Sequence, residues 1–238
     1  MSDRKTAIIT GASQGIGAGL VAAFLNESYN VVAVARKFSQ EPDGSGNLVQ
    51  VTGDIGKQET ATKTVAAAME RFASIDVLVN NAGIYLSKSF LDFTTDDVNA
   101  LVSTNILGFV YMTQLAVKQM LSQKSGNVVT ITASLADQPI AGRGGSVSMI
   151  TKGGLNTVTR SLAIEYAKDG IRFNAVAPGV VETPMHDPGS NDFLRTFQPM
   201  GKIVTIKDIA AAVLYLASAE QVTGETIHVD GGAHAGRW

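Results

Sequence analysis

Thr10-Gly11-Ala12-Ser13-Gln14-Gly15-Ile16-Gly17 follows the apolar run 7–10 and opens a segment in which Ile16, Leu20, Val21, Phe24 and Leu25 recur at helical spacing. The stretch therefore reads as strand, glycine-rich turn, helix. In such a turn Gly11 permits the sharp reversal, Gly15 lets the backbone approach a pyrophosphate, and Gly17 allows close packing of helix on strand. The helix start presents free N–H groups and a positive dipole end to phosphate. The spacing is G-x-x-x-G-x-G, not the commoner G-x-G-x-x-G. The glycines carry little alone; their place between a strand and a helix carries the reading.

The same alternation continues outward. Runs 7–10, 31–35, 48–52, 76–80, 128–132, 172–177 and 226–229 are β-branched and mostly unbroken by polar residues, as in strands buried on both faces of a parallel sheet. Segments 59–72, 96–121, 147–166 and 206–217 have helical length and spacing, with Thr95 and Thr205 as N-caps of the second and fourth. Stretches 41–47 and 139–145 read as loops, the second of them at a strand end where such folds form their ligand crevice. No compositional break or linker divides residues 1–238, and no short-period repeat is present. The expected architecture is α/β: one Rossmann-like, doubly wound, parallel seven-stranded sheet with helices on both faces.

Composition narrows the chemistry. The chain has 238 residues, 45% hydrophobic and 17% charged, with no cysteine and a formal net charge of −2. That excludes disorder, a disulfide framework, cysteine-bound zinc and a thiolate nucleophile. It also argues against a basic nucleic-acid surface. No apolar run approaches the 18 residues of a membrane span and no signal peptide is visible, so a cytoplasmic protein with no membrane partner is expected. Three histidines and five tyrosines remain as the main proton-transfer inventory.

About 19 residues beyond the glycine turn, at the end of the second strand, stand Arg36 and Lys37. A carboxylate there would hold the 2′-hydroxyl of NAD, whereas arginine can bond a 2′-phosphate bidentately. NADP(H) is favoured over NAD(H).

With these motifs in order the chain resembles the short-chain dehydrogenase/reductase family. T-G-x-x-x-G-x-G is Thr10 to Gly17, N-N-A-G is Asn80-Asn81-Ala82-Gly83, and the helical asparagine is Asn105. Pro178-Gly179 with Thr183, and Thr223-Gly224 with Val229-Asp230-Gly231-Gly232, match later signatures. The resemblance covers nearly the whole chain and implies sheet order 3-2-1-4-5-6-7. It implies a cofactor site of Gly11, Ser13, Gly15, Ile16 and Gly17 at the phosphates, with Asp54 and Ile55 at the adenine. Asn81, Ala82 and Gly83 would line the ribose, and Pro178, Gly179 and Thr183 the nicotinamide end. Asp54 also has a plain reading as a helix N-terminal carboxylate, and Thr183 as a cap. Homodimers or homotetramers, packed through 96–121 and 147–166, and a substrate lid at about 184–201 are further implications.

The catalytic set of the family is Asn, Ser, Tyr and Lys, the last two spaced Y-x-x-x-K on one helix face. Lys152 matches the lysine, which would hold the nicotinamide ribose. Four residues earlier stands Ser148, in Ser148-Met149-Ile150-Thr151-Lys152. A phenol starts near pKa ~10 and is tunable toward neutrality, while a serine alcohol is a far weaker acid with a shorter reach. Loss of a general acid typically costs about 10²- to 10⁴-fold in rate. Three residues compete for the family serine, Thr132, Ala133 and Ser134; Ser134 is the choice and would bind the substrate oxygen. Asn105 would position a water. Tyr85 and His186 are candidate substitutes for the missing phenol. The expected function is an oxidoreductase interconverting a small-molecule carbonyl and alcohol by hydride transfer, with reduced or altered activity. The alternative is a catalytically silent NADP(H)-binding sensor or scaffold. No histidine pair or carboxylate cluster stands at metal-ligand spacing.

Overall fold

In a computed structural model, which describes residues 4–39, 44, 46–183 and 191–236, seven strands form one parallel sheet in the order β3-β2-β1-β4-β5-β6-β7. They are β1 Thr6–Thr10, β2 Asn30–Ala35, β3 Leu48–Thr52, β4 Val77–Asn80, β5 Gly126–Ile131, β6 Ile171–Pro178 and β7 Thr226–Val229. The helices are α1 Gly15–Asn26, α2 Gln58–Phe72, α3 Thr95–Leu101, α4 Gly108–Gln123, α5 Ser146–Glu165, α6 Asn191–Arg195 and α7 Ile206–Ser218. A π-helical turn, Val102–Leu107, joins α3 to α4. The expected strand order and every expected strand are present, with ends shifted by at most two residues.

The unbroken apolar strands are explained by burial on both faces. Along β1, Ala7 and Ile9 meet Leu20 and Phe24 of α1 and Ile209 and Val213 of α7. Ile8, between them, points the other way, toward Ala61 and Ala68 of α2 and Met112 and Ala116 of α4. The side-chain period of two thus feeds two apolar layers from one strand. Ile8 sits in register with Val32 of β2 and Leu78 of β4, so the core is continuous across the sheet centre.

Two expectations are corrected. The segment Thr95–Gln123 is helical over 29 residues and is apolar enough, by length and composition, to cross a membrane. Its Leu101, Met112, Ala116, Val117 and Met120 are buried against the rest of the fold, so that apolarity serves the core. The cap of α3 is Thr94, not Thr95. Thr94 accepts from the Asp97 N–H, and the Asp97 carboxylate accepts in return from the Thr94 N–H; Thr95 would face Val98, which cannot reciprocate. Thr205 caps α7 as expected, through the same box with Asp208.

The order reverses between β1 and β4: the chain builds outward through β2 and β3, then returns to the other side of β1. The loops leaving the C-terminal ends of β1 and β4 therefore part from one another, and such a switch point opens a crevice. The glycine turn, Asp54, Asn81 to Gly83, Gly179 and Asp230 all follow strand C-termini and gather at that end of the sheet, whereas Thr223-Gly224 lies at the other end, beside Phe173 at the start of β6.

Candidate active site

The crevice is built first from backbone. Gly11 has φ +66°, and a Cβ there would lie 2.8 Å from the Ala82 Cα and 2.9 Å from the Asn81 Nδ2. A Cβ on Gly17 would overlap the Gly11 carbonyl oxygen. Only glycine lets the β1 turn, the α1 start and the β4 loop meet so closely. Asn81 ties them: its Nδ2 donates to the Thr10 and Gly11 carbonyls (2.8 and 3.2 Å), and the Asn81 and Ala82 N–H groups both donate to Thr10 Oγ1 at 3.0 Å. Ser13 is exposed in the turn and Ile16 is packed against the core. Gln14 caps α1 with no side-chain hydrogen bond, and no acid stands in the first turn, so the positive end of α1 faces the crevice unneutralised. Across it, the Thr183 methyl lies 3.5 Å from where a Gly15 Cβ would be.

At the ends of β2 and β3 the picture is mixed. Arg36 and Lys37 are exposed immediately past β2. The Ala12 N–H donates to the Val34 carbonyl at 3.0 Å, which holds the glycine turn against that strand end. Asp54 is exposed and accepts from the Gly56 N–H at 2.9 Å. It closes its own turn and does not serve as the N-terminal carboxylate of α2, which starts at Gln58 behind Lys57. Ile55 is buried; its side chain packs in the core where a Gly108 Cβ would sit 2.9 Å from its Cγ2.

The second wall carries the titratable group. Lys152, on α5, is buried, and its Nζ donates to the Ile131 carbonyl at the end of β5, 2.9 Å away. A Cβ on Gly83 would stand 2.8 Å from that Nζ and 3.3 Å from Asn105 Oδ1, so the three residues converge. Burial pushes the Lys152 ammonium down from its ordinary 10.5 to about 8.

The hydroxyls around it differ in what they are free to do. Ser148 is fully buried; its Oγ accepts from the Leu86 N–H and donates to the Leu86 carbonyl, each at 3.0 Å. Asn105, turned inward by the π segment, does the same to Ile84: Oδ1 accepts from its N–H (2.8 Å) and Nδ2 donates to its carbonyl (3.0 Å). The other Nδ2 proton goes to Thr151 Oγ1 at 2.9 Å. Tyr85, between the two clamped residues, donates to the Gly144 carbonyl at 2.8 Å. Thr132 donates to the Val176 carbonyl at 3.3 Å. Ser134 is buried at the start of the turn Ser134–Ala136, and its hydroxyl bonds to no described residue.

Pro178 ends β6, and Gly179 donates to the Val229 carbonyl with Asp230 packed against its Cα. His186 and most of the first half of the expected lid lie outside the described residues. In the later half, Phe193 of α6 and Phe197 just beyond it stack edge to face at 4.9 Å, and the Arg143 guanidinium lies 4.1 Å from the Phe197 ring centre. Sequence reading did not find this contact, nor the Ser148–Leu86 clamp, because each joins residues 50 or more positions apart. His228 pairs with Asp137 at 2.9 Å and His234 with Asp230 at 3.0 Å, the two rings stacking at 3.9 Å.

A family model described as enoyl-(acyl carrier protein) reductase matches residues 11–234. The chain is 32% identical over 242 residues to the 3-oxoacyl-(acyl-carrier-protein) reductase FabG of Buchnera aphidicola, covering 97% of this chain and 98% of that one. Among solved structures it resembles ElxO with NADP bound, at 30% identity and TM-score 0.91 over 98% of this chain and 100% of that one. It also resembles a 3-ketoacyl-(acyl-carrier-protein) reductase from Brucella melitensis complexed with NADH, at 29% identity and TM-score 0.88, over 97% and 98%. A shared fold, a glycine turn at the switch point and end-to-end likeness to named reductases have one meaning: the chain belongs to the short-chain dehydrogenase/reductase family of NAD(P)-dependent oxidoreductases.

Proposed function

We propose that this chain transfers hydride between a nicotinamide cofactor and a small carbonyl or alcohol, with NADP(H) preferred. The observation that carries the reading is Lys152, a buried ammonium with no acid among the causes of its shift, converging with Gly83 and Asn105 at the switch-point crevice. Two features of this chain fit a dinucleotide. The start of α1 has neither a side-chain cap nor an acid to neutralise it, which suits a pyrophosphate. Gly83 lies so close to the Lys152 ammonium that any side chain there would collide with it.

In this reading Gly11, Ser13, Gly15, Ile16 and Gly17 bind phosphate, and Asn81 and Ala82 keep the turn in shape beside the ribose. Asp54 and the Ile55 backbone meet the adenine, while Pro178, Gly179 and Thr183 hold the nicotinamide end. Lys152 bonds the nicotinamide ribose, and Ser134, with its uncommitted hydroxyl, takes the substrate oxygen. The cofactor, when bound, supplies or accepts the hydride. Arg36 and Lys37 give the 2′-phosphate preference. NADPH and NADH affinities, read by cofactor fluorescence, test it: Arg36→Asp weakens NADPH binding at least tenfold and leaves NADH binding equal or tighter. Equal loss of both refutes the preference.

One observation favours a second reading, a silent NADP(H)-binding sensor or scaffold. The Ser148 hydroxyl, at the position of the family phenol, is engaged on both sides by Leu86. Purified protein with NADPH and a panel of aldehydes and ketones separates the two. Turnover supports the enzyme; tight NADPH binding without turnover supports the sensor.

The oligomer belongs to the same proposal. On α5, Ile150 and Ile164 are 67% and 80% exposed, and on α4 Leu121 is 39% exposed, which suits pairing of these helices between copies.

A further inference from the structure

We infer that Lys152 itself exchanges the proton with the substrate oxygen, while Ser148 is a positioning residue that clamps Leu86. The inference rests on the oxidoreductase reading above and assigns its missing acid.

A hydroxyl has one proton, and Ser148 places its own on the Leu86 carbonyl while its oxygen accepts from the Leu86 N–H. Tyr85 places its phenol proton on the Gly144 carbonyl, with its ring packed where a Gly145 side chain would be. Neither can protonate a substrate without giving up its hydrogen bond to a partly buried backbone carbonyl. Lys152 has three protons, and one of them goes to Ile131. A Cβ on Gly83 would meet both the Lys152 Nζ and Asn105 Oδ1, so the β4 loop and the π turn come to the same point as the ammonium. Burial is the cause of its shift, and no charged group on β4, β5, the π turn or α5 contributes to it. A buried ammonium held below its ordinary pKa, with no carboxylate against it among the described residues and set beside the switch-point crevice, is a competent acid.

Two clamps shape the wall beside it. Asn105 holds both backbone groups of Ile84 and Ser148 holds both of Leu86, so alternate residues of one extended segment are fixed by side chains from two helical elements. A tyrosine at 148 would have to displace Leu86 to enter.

During reduction the carbonyl carbon takes a hydride, with its electron pair, from the reduced nicotinamide. The π pair of the C=O bond moves to oxygen, and that oxygen takes a proton from Nζ. Lys152 is left as a neutral amine and regains a proton from solvent; the alcohol and oxidised nicotinamide are the products.

The test combines rate, pH and two readouts independent of turnover. Carbonyl reduction by the wild type is expected to fall above about pH 8, and ¹⁵N-lysine NMR should show a signal, absent from Lys152→Arg, that titrates in the same range. Lys152→Arg should bind NADPH within tenfold of wild type yet lose at least 100-fold in kcat. Ser148→Ala and Tyr85→Phe should keep the alkaline limb at the same pH. In cofactor-free protein, Ser148→Ala should raise hydrogen exchange at the Leu86 amide at least tenfold, with Ser148→Thr restoring protection; in turnover it should raise KM more than it lowers kcat. An alkaline limb that persists in Lys152→Arg, or moves in Ser148→Ala or Tyr85→Phe, overturns the assignment to Lys152. So does an increase in turnover in Ser148→Tyr. Unchanged Leu86 exchange in Ser148→Ala overturns the clamp. A wild type that binds NADPH and reduces no carbonyl overturns the oxidoreductase reading and Lys152's role with it, while the Leu86 exchange still tests the clamp.

Discussion

Lys152 sits in the interior as a cation whose one partner among the described residues is the Ile131 carbonyl, and its cost can be measured. Below pH 8 the folded and unfolded chains both hold the proton, and the folded one bears the burial of the charge. Between about 8 and 10.5 the unfolded chain keeps a proton that the folded chain has released, so Lys152 destabilises less as pH rises through that window. Lys152→Met removes this dependence. The stability of the Met variant relative to wild type should therefore fall by on the order of 3 kcal/mol between pH 7 and pH 10.5. Urea unfolding at the two pH values checks it, and a pH-independent difference refutes it. At this scale Lys152 was legible through the family resemblance of its helix, and Ser148 by counting back four residues from it. The lysine's isolation from acids was not, because that depends on which residues of β4, β5 and the π turn fold against it.

Among the elements, the helix caps and the glycine turn make the sharpest predictions. Thr205 and Asp208 satisfy each other's backbone N–H groups at the start of α7, whose Ile209, Val213 and Leu216 cover one face of the sheet. Thr205→Ala should cost about 1 kcal/mol in denaturant unfolding, with the cofactor site unchanged. Thr94 differs instructively: the sequence offers two adjacent threonines, and only the one three residues before an acid closes the box. Gly17→Ala is a different kind of change. Its methyl would overlap the Gly11 carbonyl, forcing α1 away from β1, so a loss of 1–3 kcal/mol and at least tenfold weaker NADPH binding are expected together. Calorimetry and cofactor fluorescence on the same sample read both; a stable variant with intact binding refutes the packing role. The π turn that carries Asn105 had no signal in the sequence, since apolar periodicity at 3.6 continues through it.

Over the whole molecule, the exposed apolar residues on α5 predict a surface shared between copies. Ile150→Glu with Ile164→Glu should shift the protein to a smaller assembly in analytical ultracentrifugation while cofactor affinity stays within a few-fold; no shift removes α5 from the interface. Read along the chain alone, seven short β-branched runs alternating with helices set a parallel sheet, its two apolar faces and a glycine turn at its centre. These follow from local period and from glycine, which act within a few residues. The sequence also determined that Ser148, not tyrosine, precedes Lys152 by one turn. Only the tertiary structure decided what that serine does. Its hydroxyl meets Leu86, 62 residues away, and a side chain's hydrogen-bond partner is chosen by what the fold brings within about 3 Å, a distance no spacing along the chain encodes.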